Sequence, residues 1–243
     1  MFAKRLFDFT VAMAALVIAS PLLLGVAAAI YLYDLHNPLY VANRVGQDKR
    51  PFRMVKFRSM VVNADRTGVT STSAADKRVT PVGHFVRRFK LDEIVQLWNV
   101  ARGDMSLVGP RPNVPSGVAV YTREEDRLLS VRPGITDIAS IVFADEGEIL
   151  RDHADADLAY DQLIRPWKSR LGLFYIDHRS LWLDVRLIGL TVLAILSREA
   201  ALARVSRMLA ALGAPAELAR VALRREGLVA GLPPGANLAD GTV

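Results

Sequence analysis

The sequence predicts an α+β fold, mostly helical, in which an N-terminal re-entrant membrane helix hairpin precedes a small mixed domain with interfacial helices. Three observations carry this. Residues Phe9 to Tyr33 contain no charged side chain. One strand-like stretch, Phe52 to Phe57, stands among segments of helical spacing. Positive charge is concentrated just after the apolar run, with 14 Lys/Arg against 7 Asp/Glu from Asp34 to Pro112. The whole chain has 31 Lys+Arg and 25 Asp+Glu, so the remainder is near neutral. Its 243 residues allow one domain plus a membrane element. A mean hydropathy of +0.23 is high for a soluble protein.

The apolar run is long enough to span a bilayer, which takes roughly 20 residues. It is too long for a signal-peptide core, and no small-x-small cleavage site follows it, so it is expected to be retained. Ser20-Pro21 interrupts its middle. Proline removes a backbone donor and clashes with the preceding turn, and the Ser20 hydroxyl can satisfy a freed carbonyl. Each half is then roughly 18 Å long, about half the bilayer. Two geometries fit: a kinked single span, or a helix that breaks at Ser20-Pro21 and returns to the face it entered. Lys4 and Arg5 before the run and the basic segment after it both favour the cytoplasmic side. A simple span cannot satisfy both, which tilts the reading toward the re-entrant form.

Beyond the run, Val41 to Met60 reads as a loop or hairpin feeding the Phe52–Phe57 strand. Asn63 to Thr80 reads as a mobile surface loop. Val82 to Val100 has helical spacing, with Phe85, Phe89, Ile94, Leu97 and Trp98 on one face, and Arg102-Gly103-Asp104 closes it as a turn. Ser106 to Pro115 is a proline-punctuated loop, Tyr121 to Val131 a short helix stopped at Pro133-Gly134, and Asp152 to Leu163 another helix. Leu181 to Leu196 suits a core or an interfacial helix. Arg198 to Glu226 is amphipathic, and Leu232 to Val243 has the composition of a disordered tail. The expected division is 1–36, 37–197 and 198–243.

The chain has no cysteine, which excludes disulfides, thiolate nucleophiles and Cys-based zinc sites. Its four histidines show no metal-ligand spacing. The basic segment suits an anionic partner: phosphate, nucleotide, lipid head group or nucleic acid. Within it, Asp92-Glu93 follows Arg87, Arg88 and Lys90. Nearby positive charge is expected to keep a carboxylate ionised, able to act as nucleophile or metal ligand, and magnesium suits such an oxygen-rich site. Taken alone, the cluster reads better as a charged helix start. Lys56, Arg58, Arg111 and Arg132 are further phosphate-binding candidates, Arg111 stiffened between Pro110 and Pro112. There is no Walker-type loop and no Gly-x-Gly-x-x-Gly.

Together these pieces resemble the bacterial sugar transferase family of polyprenyl-phosphate phosphoglycosyl transferases, in its small monotopic form. The resemblance runs from about Lys4 to about Leu196. It is carried by Lys4-Arg5-Leu6-Phe7-Asp8, Ser20-Pro21, Arg44-Val45-Gly46-Gln47, Phe52 through Met60, Leu91 through Val100, Gly103 through Pro112, and Arg132-Pro133-Gly134-Ile135-Thr136. It implies a re-entrant helix hairpin with the catalytic domain on the cytoplasmic face of the bacterial inner membrane. It implies that Asp92 attacks the sugar-linked phosphate of a UDP-sugar, that UMP leaves, and that polyprenyl (undecaprenyl) phosphate then takes the phosphosugar. Glu93 would assist by helping Asp92 bind Mg2+ or by activating the lipid phosphate, with Lys56, Arg58, Arg87, Arg88, Arg111 and Arg132 binding substrate. The partners implied are donor, acceptor and membrane lipids, with no nucleic acid; a homo-oligomer is left open. One departure is Asp137 through Phe143, where the family pattern commonly runs Gly, an apolar residue and a Gln-containing stretch; this segment is expected to touch sugar or nucleotide. The tail beyond Ser197 is longer than the small enzymes need, and suits an added interfacial helix or partner-binding element. A membrane-tethered binder of anionic lipid or nucleic acid, the alternative, would leave Asp92-Glu93 without a role.

Overall fold

The structure is a computed structural model that describes residues 2–64, 76–151 and 153–236. It is mostly helical with two small sheets, as the composition and spacing predict. The first element, α1 (Phe2–Asp34), runs as one helix with Pro21 inside it. The expected break at Ser20-Pro21 is therefore not a helix end. Local chemistry accounts for this: Ser20 Oγ donates to Val17 O at 2.8 Å, the carbonyl that proline four residues on leaves without its usual donor.

Both ends of α1 are fastened to the rest of the molecule, and its middle is not. Near the start, Lys4 Nζ reaches Asp184 Oδ2 (2.5 Å), and Arg5 donates to Val100 O and Ala101 O at 2.5 and 2.6 Å. Asp8, buried, accepts from Ser106 Oγ at 2.8 Å. At the far end Asp34 receives a two-pronged bond from Arg58, at 2.5 and 2.7 Å. Between them Val17, Ile18 and Leu24 are 68%, 80% and 71% exposed.

After α1 come β1 (Leu39–Val45) and β2 (Pro51–Phe57), an antiparallel hairpin turned through Gln47–Lys49. The predicted strand is thus β2, and its partner is β1. The register sets Tyr40 opposite Lys56, Ala42 opposite Met54 and Arg44 opposite Phe52. Opposed residues share a face, so Arg44 and Lys56 lie on one side of the hairpin. Of the loop predicted over Asn63 to Thr80, residues 65–75 lie outside the described residues.

The helix predicted over Val82 to Val100 is instead three: α2 (Pro81–Arg88), α3 (Leu91–Ile94) and α4 (Leu97–Arg102). The chain turns between α2 and α3 because Lys90 takes left-handed angles (φ 55°, ψ 26°). Phe85, Phe89 and Trp98, expected on a shared face, are all about half exposed, while Val86 and Leu91 are buried. The turn at Arg102-Gly103-Asp104 forms as expected, with Gly103 at φ 97°. Asn99 fastens α4 to β2: its Oδ1 accepts from Val55 N and its Nδ2 donates to Arg53 O.

Next come β3 (Ser106–Val108), α5 (Pro115–Ala119), a 3-10 turn over Glu125–Ser130, and β4 (Gly134–Thr136), parallel to β3. The predicted loop at Ser106 and helix over Tyr121 to Val131 thus begin with a strand and shrink to a 3-10 turn. Gly109 and Gly134 let the two segments touch: a Cβ on Gly134 would lie 2.1 Å from Gly109 N. Then follow α6 (Ile138–Val142), α7 (Glu146–Ile149), α8 (Ala156–Ala159), a π turn over Tyr160–Ile164, α9 (Arg165–His178), α10 (Leu181–Leu196), α11 (Arg198–Ala211) and α12 (Ala216–Leu223).

The main core joins Ala12, Met54, Val100 and Met105 to Ile138, Leu171, Leu187 and Leu209. It includes Ala201, Leu202, Val205, Met208, Leu218 and Ala222, so residues beyond 197 share the core of the segment before them. The predicted disordered tail is ordered through Ala236: Arg170 donates to Leu232 O and Thr122 Oγ1 to Pro234 O. Residues 237–243 of it lie outside the described residues. A second, smaller core of Val26, Ile30, Phe57, Val86 and Leu91 sits where the far half of α1 meets α2 and α3.

Candidate active site

That smaller core is the floor on which Asp92 stands. Leu91 is buried in it, and the left-handed turn at Lys90 starts α3, so Asp92 falls in the first turn of the helix. Gly83 lets α2 press against the chain at Ser59: a Cβ there would lie 1.9 Å from Ser59 O. One turn on, Arg87 Nε donates to Ser59 Oγ at 2.8 Å. The hairpin face delivers Arg44 and Lys56, and the Gly109–Gly134 contact delivers Arg111. Arg111 Nη1 is held by Ile135 O, and its Nη2 donates to Glu93 Oε1 at 3.1 Å. Lys90 Nζ lies 3.8 Å from the same Glu93 oxygen.

Four cations, Arg44, Lys56, Arg87 and Arg111, thus gather about two carboxylates. Burial lowers the proton affinity of Arg44, Lys56 and Arg87. For Lys56, burial first and then the charge of Arg44 bring the ammonium down to about 8. Arg44 Nε is buried without a partner. Asp92 feels Lys56, Arg87 and Lys90, yet makes no hydrogen bond or ion pair among the described residues. The expectation that surrounding cations keep its carboxyl ionised is corrected in direction. Burial, reinforced by Glu93, outweighs the cations and raises the Asp92 pKa. Once ionised, a desolvated carboxylate of raised basicity is a good nucleophile.

Sequence reasoning named Lys56, Arg87, Arg111, Asp92 and Glu93, and the structure brings these together. It passed over Arg44, whose signal lay in the hairpin register. Arg58 is drawn elsewhere: its guanidinium holds Asp34 and the Asn37 carbonyl, joining α1 to β2. Arg88 is exposed, 5.6 Å from the Phe89 ring, and Arg132 is exposed at the end of the segment that leads into β4. Asp137 through Phe143, expected to touch substrate, forms α6: Asp137 and Ser140 make a capping box, and Ile138, Ile141 and Val142 are in the core.

No group of three His or acidic side chains converges among the described residues. Asp92 and Glu93 therefore suit a magnesium ion only in the manner of sites where one or two carboxylates hold it and substrate phosphates complete the shell. Asp92 is unpartnered and fits that demand; Glu93 has one oxygen committed to Arg111.

The family model for bacterial sugar transferases matches residues 1–198. Among curated proteins, the chain is 38% identical over 199 residues to a UDP-N-acetylgalactosamine-undecaprenyl-phosphate N-acetylgalactosaminephosphotransferase of Aeromonas hydrophila, covering 81% of this chain and 44% of that one. It is 39% identical over 199 residues to an undecaprenyl-phosphate glucose phosphotransferase of Komagataeibacter xylinus, covering 79% and 35%. An uncharacterized sugar transferase of Bacillus subtilis, EpsL, is 32% identical over 200 residues, covering 82% and 90%. The chain thus spans less than half the length of the first two.

Proposed function

Because the chain belongs to the bacterial sugar transferase family, we propose that it transfers a phosphosugar from a UDP-sugar to a polyprenyl phosphate at a membrane surface, as the first membrane step of a surface glycan or glycoconjugate pathway. The observation that carries the reading is the unpartnered Asp92 carboxylate amid Arg44, Lys56, Arg87 and Arg111. With Lys90 beside Glu93, the cations outnumber the two carboxylates, an excess of positive charge that suits a diphosphate.

In this mechanism Arg111, Lys56 and Arg44 orient the diphosphate and Arg87 offsets charge at the transferring phosphorus. An Asp92 oxygen attacks the sugar-linked phosphorus, the bond from that phosphorus to the UMP oxygen breaks, and UMP leaves. A polyprenyl phosphate oxygen then attacks the same phosphorus, and the aspartyl ester bond breaks to restore Asp92. Glu93, oriented by Arg111, accepts a proton from the lipid phosphate. Magnesium held at Asp92 and Glu93 would supply charge neutralisation on the diphosphate.

The membrane placement is argued from α1. It is long and apolar enough to cross a bilayer, yet its two charged ends are bonded to one body while its middle is bare. This supports a bent, re-entrant α1 that leaves the site on the cytoplasmic face, with half-exposed Phe85, Phe89 and Trp98 toward the lipid. The chain lacks cysteine, so cysteines placed at Ala3 and His36 would both be labelled from the same side of sealed vesicles; labelling from opposite sides would refute the re-entrant form. The reaction is tested by nucleotide release from a panel of UDP-sugars, with magnesium, with and without undecaprenyl phosphate. Lipid-dependent UMP release is expected. UDP release would place the protein among ordinary glycosyltransferases.

A further inference from the structure

Away from the Asp92 site, α10 and α11 enclose a groove of about 490 Å³ lined by Arg186, Gly189 and Leu190 from one helix and Arg204 and Arg207 from the other. All three arginines are exposed. Several other arginines find carboxylates: Arg127 with Asp177, Arg165 with Glu125, Arg198 with Asp145. Among the described residues Arg186, Arg204 and Arg207 have no such partner; the one bond they make is from Arg207 Nε to its own helix, at Ala203 O. Arg204 and Arg207, three apart, repel on one helix face, and Gly189 leaves the groove floor open, with nothing within 4 Å of a built Cβ.

The groove borders an apolar surface. Trp182, Val185, Val192 and Leu196 recur at helical spacing on the same exposed side of α10 as Arg186 and Gly189, at 75%, 42%, 55% and 79% exposure. The first turn of α10 is also where α1 begins, through Lys4 and Asp184. Arginine beside apolar side chains at the mouth of a membrane helix meets a bilayer where its phosphates lie.

We propose that the Arg186–Arg204–Arg207 groove is a binding site for the phosphate of an anionic membrane phospholipid, which fixes α10 and α11 against the bilayer. The proposal rests on the membrane reading above. Free phosphate offers the same chemistry without the acyl chains, and the Trp182–Leu196 surface favours the lipid.

The test uses the full chain in a neutral maltoside micelle, titrated with dioctanoyl phosphatidylglycerol, dioctanoyl phosphatidylcholine or inorganic phosphate, with bound lipid counted by native mass spectrometry. Saturable, phosphatidylglycerol-selective binding is expected. It should weaken by about thirtyfold in Arg204→Gln/Arg207→Gln and by about fivefold in Arg186→Gln, and persist in Arg204→Lys/Arg207→Lys. Arg186→Gln lies on a different helix, so it reads the groove even if the double variant folds poorly. Equal binding of the two lipids, or binding unchanged in the glutamine variants, overturns the proposal. Displacement of phosphatidylglycerol by equimolar inorganic phosphate overturns it in favour of a free-anion site. Flotation with neutral vesicles separates the two readings. Protein that floats without lipid selectivity loses only the groove, whereas protein that stays in the aqueous layer loses the membrane placement.

Discussion

The molecule holds two clusters of positive charge, and they are built oppositely. Around Asp92, burial lowers the proton affinities of Arg44, Lys56 and Arg87, and Ser59 and the Ile135 carbonyl hold Arg87 and Arg111 in place. Between α10 and α11 the arginines are wet and largely untethered. Burial at the first site fixes geometry and strengthens every charge interaction, which chemistry at phosphorus requires. Exposure at the second leaves charge that salt screens and that geometry constrains little, which suits attachment more than reaction.

The sharpest way to break this contrast is to remove the reacting oxygen. Asp92→Asn should lower UMP release by on the order of 10³-fold or more while leaving folding and membrane association intact; full retained activity would discard Asp92 as nucleophile. Next in size, Arg111→Ala should cost about 10²-fold in kcat/KM, because it both removes a diphosphate contact and frees Glu93; a wild-type rate would take Arg111 out of the site. Lys56 gives a pH signature. Its ammonium must be charged to hold phosphate, so turnover should fall above pH about 8, and Lys56→Arg should abolish that limb.

The same shift has a consequence for stability. The folded state holds the Lys56 proton less tightly than the unfolded chain, whose lysine titrates at the usual 10.5. The penalty is therefore complete below pH about 8, and stability is regained as pH rises from there toward 10.5. Lys56→Met should accordingly stabilise the protein at pH 7 by on the order of 1–2 kcal/mol after solvent screening, read by thermal unfolding; a loss of stability would mean the charge is better accommodated than its burial indicates. The smallest effect concerns salt. Raising ionic strength from 0.05 to 0.3 M, which takes the Debye length from above to below about 10 Å, should release phosphatidylglycerol from the arginine groove several-fold. It should change kcat little, and equal sensitivity of both would erase the distinction between the clusters.

How much of this the sequence discloses follows the same division. Features set by local chemistry are legible: the uncharged run of α1, the β2 strand, the turn at Gly103, the Asp92-Glu93 pair. Features set by pairing are not. Arg44 reads as a solvated cation until the hairpin register places it beside Lys56. Lys56 and Arg58 both read as phosphate-binding candidates, but Arg58, just past the end of β2, turns back to Asp34. Lys90 carries no glycine-like signal for left-handed backbone, so one predicted helix becomes three. The segment from Asp137 reads as a loop that touches sugar or nucleotide; Ile138, Ala139, Ile141 and Val142, at helical spacing, place one face of α6 in the core.

Where the family match stops, at residue 198, the core does not. Met208 and Leu209 of α11 have no solvent exposure, and Leu218 and Ala222 of α12 are buried beside them. A chain ending at Leu196 would lay open the apolar wall that these residues cover, formed by Ile138, Leu187 and Leu190 among others. Such a fragment would keep every residue assigned to the reaction and still tend to aggregate or seek a substitute surface. Anyone shortening the protein to the portion that matches the family, or grafting that portion onto another anchor, has to carry α11 and α12 along as part of the working unit.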